Sequence, residues 1–424
     1  MPASTTVKTV ANGPSPTQGE SRAFDLTWQR LQQWWAVAVL SLIMATWRLW
    51  LHREEFPAVA MFDLPVDAAW FDFVALTAVS LTLLALAGGV RPTRWLYGIL
   101  IVGLAALFIS NQQRLQPWAY QACLHGVAFA ALSQRHACRW LIAITISTYF
   151  YSACGKMDYQ FLHTVGQEFV GRLIGSTENV PSRMRLWLAA VLPATELAVA
   201  VALCSANTRR FAGMGAIIMH AGLVAVLGPW AWGHSAGVVL WNAWLIPWAW
   251  FLFVAPDPHP AIVLRGRPVV SRGRGLGWMG HAILTAALLL PLLERTGYWD
   301  HWLSWSLYSP HTSRVEIEIH RSVQTAMPPS VSPFVEPDDD HDRWHAVAID
   351  RWSLHALAVP IYPQARFQLG VARALARDLP HRDGIRLKVK SVSDRWDGSR
   401  SERWLQGRGE IETAAQGYWL LSQG

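Results

Sequence analysis

The sequence predicts an all-α polytopic membrane bundle of about nine spans, followed by a small α+β extramembrane domain. Three observations carry this. Of 424 residues, 52% are hydrophobic and only 15% charged, against nearer a quarter charged in soluble globular chains. The charge deficit lies in residues 31–295, a succession of apolar runs approaching the roughly 20 helical residues that cross a bilayer core of about 30 Å. Many of the 25 tryptophans, among them Trp34, Trp50, Trp95, Trp118, Trp140, Trp187, Trp230, Trp232, Trp250 and Trp278, stand at the ends of these runs. An amphipathic indole is stable there, at the membrane–water interface.

Residues 1–30 read as a disordered tail. Residues 1–19 are rich in Pro, Ser, Thr and Gly, too polar to bury a core, and they lack the contiguous apolar region of a signal peptide. The predicted spans are 34–51, 73–90, 95–110, 117–133, 140–154, 186–204, 211–227, 235–253 and 276–293, with a re-entrant or interfacial helix over 159–175. Orientation follows from the basic residues. Placing the N-terminus in the cytoplasm puts Lys8, Arg22, Arg30, Arg91, Arg94, Arg135, Arg139, Arg209, Arg210, Arg265, Arg267, Arg272 and Arg274 inside. Only Arg53, Arg114, Lys156, Arg172, Arg183 and Arg185 then face outside. The positive-inside rule selects this arrangement, and an odd number of spans places residues 296–424 outside an inner (plasma) membrane. The same distribution explains the net charge of +7 as topology and argues against nucleic acid as a partner.

In residues 296–424, alternation predicts strands at 315–320, 345–349 and 385–392, and a hairpin-like pair around Trp404 and Tyr418. Helical spacing covers 363–379. The acidic loop 337–342 reads as solvated rather than as a calcium site. No metal is expected, since the four cysteines show no C-x-x-C and no zinc spacing. Cys123 and Cys154 fall toward the outer side on consecutive spans. They are read either as a redox pair or as small apolar residues packed between helices.

The chemistry concentrates where the fifth span ends. Thr148, Ser152 and Lys156 are four apart and stack on one helix face, continuing Thr145. Lipid cannot satisfy such a stripe, so it should face a cavity or the bundle interior. Lys156 is one of only four lysines among 36 basic residues, and lysine, unlike arginine, can lose its proton and act as a base. Its structural alternative is snorkelling, or pairing with Asp158. Further ionisable residues inside spans are Glu196 and His220 at mid-depth and His125 in an outer half, each read either as a functional candidate by its position or as a group hydrogen-bonded or paired within the bundle. Arg48, near the outer end of the first span, reads either as a counter-ion for Glu196 or as a side chain that snorkels to the interface. The polar turn Asn111-Gln112-Gln113-Arg114 reads first as a loop satisfying its own backbone; alternatively it would bring Gln113 and Arg114 to the same outer mouth as Lys156 and Tyr151, to bind an anionic or quinone head group.

The run Tyr149-Phe150-Tyr151-Ser152-Ala153-Cys154-Gly155-Lys156-Met157-Asp158, with Phe161 after it, resembles the lysine motif of the vitamin K-dependent γ-carboxylase and HTTM superfamily. The segment Ser304-Trp305-Ser306-Leu307-Tyr308 is similar to that family's short S-W-x-M segment. The resemblance implies that Lys156 deprotonates a quinol on the outer side. The Gly-Lys helix end is also similar to that of DoxX and MauE-like membrane proteins, a redox-associated group. Two functions follow as expectations. One is a membrane enzyme or redox module acting on a lipid-phase molecule such as a quinone, with Lys156, His125, Glu196 and His220 as catalytic candidates. Arg114, Gln113, Ser152, Thr148 and Tyr151 would then bind its substrate. The other is a non-catalytic assembly protein whose C-terminal domain holds a periplasmic client protein.

Overall fold

The structure, a computed structural model, describes residues 18–51, 54–63, 68–175, 180–255, 274–337, 341–418 and 420–422. Residues 1–17, with most of the expected tail and Lys8, lie outside the described residues, as do Arg53, Arg265, Arg267, Arg272 and residues 338–340 of the acidic loop.

Each predicted span falls on a helix: α1 (Gln18–Ala45), α2 (Ala68–Ala87), α3 (Arg94–Ser110), α4 (Pro117–Ala131) and α5 (Gln134–Lys156). Two short helices, Tyr159–His163 and α6 (Val165–Ile174), occupy the place predicted for an interfacial segment. Then come α7 (Ser182–Cys204), α8 (Arg209–Leu227), α9 (Ala236–Ala249) and α10 (Arg274–Leu289). Helix α1 begins at Gln18, earlier than the predicted boundary of the tail. Among the described residues, five segments are long and apolar enough to cross a membrane: Ala69–Ala87, Ser182–Cys204, Arg209–Leu227, Ala236–Val254 and Gly275–Thr296. Helix α3 is apolar but shorter. The remaining predicted spans fall short of that standard for physical reasons. Helix α4 has 15 residues and is buried along most of its length, as an apolar helix inside a bundle should be. Helix α5 carries the polar stripe that lowers its hydropathy.

Local chemistry sets the helix ends. Pro117 starts α4, where its missing N–H costs nothing. Asp158 caps the next helix by accepting from the Phe161 amide at 2.8 Å. Pro247 cannot donate inside α9, and the helix relaxes into a π-helical stretch, Trp250–Val254. Trp95, Trp187, Trp230 and Trp278, at or near the helix ends, are 72%, 68%, 69% and 75% exposed, as interfacial indoles should be.

The C-terminal unit carries a four-stranded antiparallel sheet in the order β2-β1-β3-β4, made of β1 (Arg314–His320), β2 (Trp344–Val347), β3 (Ile385–Lys390) and β4 (Glu402–Gln406). Ile317 pairs with Val347 on one side and Leu387 on the other, and Leu387 pairs with Leu405. Val315, Ile317 and Ile319 alternate inward and pack against α12 (Ala365–Asp378), which follows α11 (Ile349–Leu357). The predicted hairpin at Trp404 and Tyr418 is corrected. Trp404 lies on β4, but that strand pairs with β3, and Gly407–Ala415 is a helix, α13. Gly407, at φ 71°, makes the turn, and Ile411 and Ala415 then bury one helical face. Helix α11 was not predicted. Its buried set Ile349, Trp352, Ser353, Ala356 and Leu357 has helical spacing, which the strand reading of 345–349 cut into.

The loop between α3 and α4 joins the bundle to this unit. The Gln112 side chain donates to Leu420 O at 2.8 Å and accepts from Arg366 at 2.8 Å. Gln113 donates to Pro360 O at 2.6 Å and accepts from the Tyr362 amide at 2.8 Å. The end of α5 bearing Lys156 therefore faces the same way as the C-terminal unit.

Candidate functional site

A cavity of about 660 Å³ opens between the bundle and the C-terminal unit, within the range of small-molecule sites. Its bundle walls come from Pro117 and Trp118 of α4, Thr148, Tyr149, Ser152 and Lys156 of α5, Glu196 of α7, His220 of α8, and Trp241 and Asn242 of α9. Trp302, Tyr308, Pro310, Pro360 and Ile361 close the other side. The lining is mostly apolar, with a few convergent polar groups.

The sequence builds the polar wall one helical turn at a time. Thr148, buried, returns its hydroxyl to Ile144 O at 2.9 Å. Ser152, one turn on, accepts from Lys156 Nζ at 2.5 Å. Lys156 Nζ then reaches Glu196 Oε2 at 2.6 Å, with the two side chains 12% and 14% exposed. The lysine thus pairs across helices rather than with Asp158. Deeper, His220 Nε2 meets the Tyr149 hydroxyl at 2.9 Å and Nδ1 meets Asn242 Oδ1 at 2.9 Å. Asn242 in turn donates to Val238 O. This second polar set fixes the ring of His220 at the cavity wall.

Other candidates lie elsewhere. His125 is buried against Trp248, with ring centroids 4.7 Å apart, and beside Trp35; it borders a separate, small apolar crevice. Arg114 is not at the mouth. It is buried in a two-pronged pair with Asp72, both Nη atoms at 2.7 Å. Gln113 is committed to the C-terminal unit, and the Tyr151 hydroxyl donates to Leu288 O at 2.7 Å. Arg48 donates to His355 O, so the partner of Glu196 is Lys156. Cys123, Cys154, Cys138 and Cys204 are free thiols.

A second cluster, which the sequence reading missed, borders the cavity where the last span ends. His311 is fully buried, with Nε2 at 2.8 Å from Glu294 Oε1 and Nδ1 at 3.0 Å from Asp158 Oδ2. His301 Nδ1 meets the same Glu294 oxygen at 2.8 Å, and Arg295 holds Asp158 at 2.8 Å. Burial alone would lower the pKa of His311, but Asp158 and Glu294 outweigh it and hold the ring above its ordinary value. For Asp158 burial pushes upward, yet His311, the Phe161 amide and Arg295 prevail and the carboxyl sits low. At His301 burial wins, and its pKa falls despite Glu294. Burial also lowers that of His234, on the cavity wall beside Tyr308. The readable signal was a Glu and two His within eighteen residues, immediately after a span and flanking the Ser304–Tyr308 segment. Gly155 fits here for a steric reason. A Cβ there would lie 2.8 Å from Ser309 Oγ and 3.1 Å from Ser306 Oγ, so glycine lets α5 approach this segment.

Residues 129–236 match the family described as methylamine utilisation protein MauE, a membrane family associated with redox chemistry. The match runs from the end of α4 into α9 and includes Lys156, Glu196, His220 and His234. No curated protein and no solved structure matches the chain. Together with the apolar helices, the match makes this a multi-pass membrane protein.

Proposed function

We propose that the protein binds the head group of a lipid-soluble redox carrier of the quinone class in the cavity, with the Lys156–Glu196 pair handling its proton. One observation carries the reading. A partly buried lysine–carboxylate pair stands on the wall of a mostly apolar cavity large enough for such a head group. Ionisable residues within spans are costly unless they pair or serve a site. Trp118, Trp241 and Trp302 line the cavity and would flank an aromatic ring whose oxygen bonds to Lys156 at one end. Tyr149 and His220 offer a second polar contact deeper in. In this reading the Lys156 ammonium, held by Glu196 and Ser152, passes a proton to the Glu196 carboxylate, and the neutral amine so formed takes the proton of the quinol oxygen. The deprotonation that the carboxylase resemblance implies is the same chemistry. The membrane is the inner membrane, with the N-terminus cytoplasmic and the cavity and C-terminal unit outside. The basic bias of the connections supports that orientation.

The test is titration of detergent-purified protein with a short-chain quinone, read by tryptophan fluorescence, together with extraction and mass spectrometry of co-purified quinones. Saturable quenching is expected, weakened about tenfold or more in Lys156→Met and in Glu196→Gln, which corresponds to about 1.4 kcal/mol. Quenching that never saturates, or is identical in all three proteins, would overturn the proposal.

A further inference from the structure

Two imidazoles converge on one carboxylate oxygen beside the cavity. Glu294, His301 and His311 each offer one ligand atom, all three atoms lie within 4.8 Å of one another, and all three residues are buried. They come from the 3₁₀ turn ending the last span, the turn that follows it, and the approach to β1. We propose that these residues form a two-histidine, one-carboxylate site for a divalent transition-metal cation of the zinc class. This is independent of the quinone reading.

The outer contacts of the ligands argue for it. A histidine that binds a metal usually gives its other ring N–H to a carboxylate or a backbone carbonyl, which fixes tautomer and orientation. His311 Nδ1 lies 3.0 Å from Asp158 Oδ2, and Asp158 is itself held by Arg295 and the Phe161 amide. With bonds of about 2.0 Å, a tetrahedral metal would separate its ligand atoms by about 3.3 Å. The present 2.8 Å contacts would open by roughly half an ångström, within reach of a glutamate side chain. Two imidazoles and a carboxylate suit zinc. His301 lines the cavity, so a fourth position would open toward it, as in sites with three protein ligands and an exchangeable one.

The experiment uses the full chain in detergent, stripped with chelator and then given Zn(II) alone, with elemental analysis after gel filtration and competition against a chromophoric chelator. Co(II) in place of Zn(II) provides a visible spectrum of the site. About one equivalent of zinc per chain is expected, with the visible bands of low-symmetry cobalt coordination. His301→Gln should lose that equivalent, and Asp158→Asn should weaken affinity about 10–100-fold. The control His345→Ala, on the sheet, should change nothing. The site is disproved by a wild-type chain that takes up no zinc and shows no cobalt bands. Uptake that survives His301→Gln, or disappears with His345→Ala, also disproves it. If His301→Gln does not fold, the wild-type cobalt spectrum and the affinity of Asp158→Asn decide.

Discussion

The Asp72–Arg114 pair offers a test of the fold that needs no assay of activity. Arg114 is 1% exposed and Asp72 4%. The guanidinium gives both Nη atoms to the carboxylate at 2.7 Å, and Nη1 also reaches Ser110 Oγ at 2.9 Å. Its remaining donors go to Leu49 O at 3.1 Å and Trp50 O at 3.3 Å. Ser110 closes the ring by donating to Asp72 Oδ1 at 2.6 Å. Asp72→Asn keeps the shape and removes the charge, leaving an uncompensated buried cation, which costs about 3–5 kcal/mol. An unfolding entropy of about 2.1 cal/mol/K per residue over a cooperative 424-residue chain gives about 1 °C per kcal/mol, hence a drop of roughly 3–6 °C. Replacing both partners, Asp72→Leu with Arg114→Met, should recover much of that loss, because no charge is then buried alone. Size-exclusion chromatography of heated detergent extracts, at one fixed heating rate because such unfolding is irreversible, measures both. If Asp72→Asn melts within about 1 °C of wild type, less than the cost of one unsatisfied buried group, water reaches the pair and the reasoning fails.

Three further outcomes follow. Gln113→Ala strands Pro360 O and the Tyr362 amide, so limited proteolysis near residues 358–364 should accelerate about tenfold, as expected for a local opening made easier by 1–3 kcal/mol; an unchanged rate would mean the loop does not hold the C-terminal unit. Gly155→Val should lower the melting temperature by about 1–3 °C through overpacking against Ser309 and Ser306, whereas Gly98→Ala, with open space around it, should leave it level or slightly higher in the same assay. Alkylation in native membranes followed by mass spectrometry should modify Cys123 and Cys154 without prior reduction, since both are free thiols; modification of that pair only after reduction would contradict this.

What the sequence revealed and what it hid divide along sequence distance. The nine apolar segments land on helices because span length and interfacial tryptophan are local properties of the chain. So does the stripe from Thr145 through Thr148 and Ser152 to Lys156, because a four-residue polar period inside an apolar run has one helical explanation. Glu196 could be recognised as costly in a span, but its pairing with a lysine 40 positions away could not. Arg114 illustrates the opposite case. A polar turn beside a span suggests a solvated mouth, yet Asp72, 42 positions earlier, draws the guanidinium inward, and Gln112 and Gln113 become anchors for a unit some 250 residues further on.

His125 shows why polar residues in spans cannot be assigned to one site by depth alone. It lies eight positions after Pro117 on α4, a helix buried along nearly all its length, so that helix has no lipid face to single out a functional one. The first turn, Pro117 and Trp118, reaches the cavity. Farther along, His125 is turned toward Trp35 and Trp248. The sequence gives the period of a helix but not its rotation within a bundle, and rotation decides which polar side chains meet. The same holds for Glu294, His301 and His311. The turns after the last span bring them together on one Glu294 oxygen, and the contact of His311 with Asp158, two positions past Lys156, ties this cluster to the end of the helix that carries the lysine–carboxylate pair.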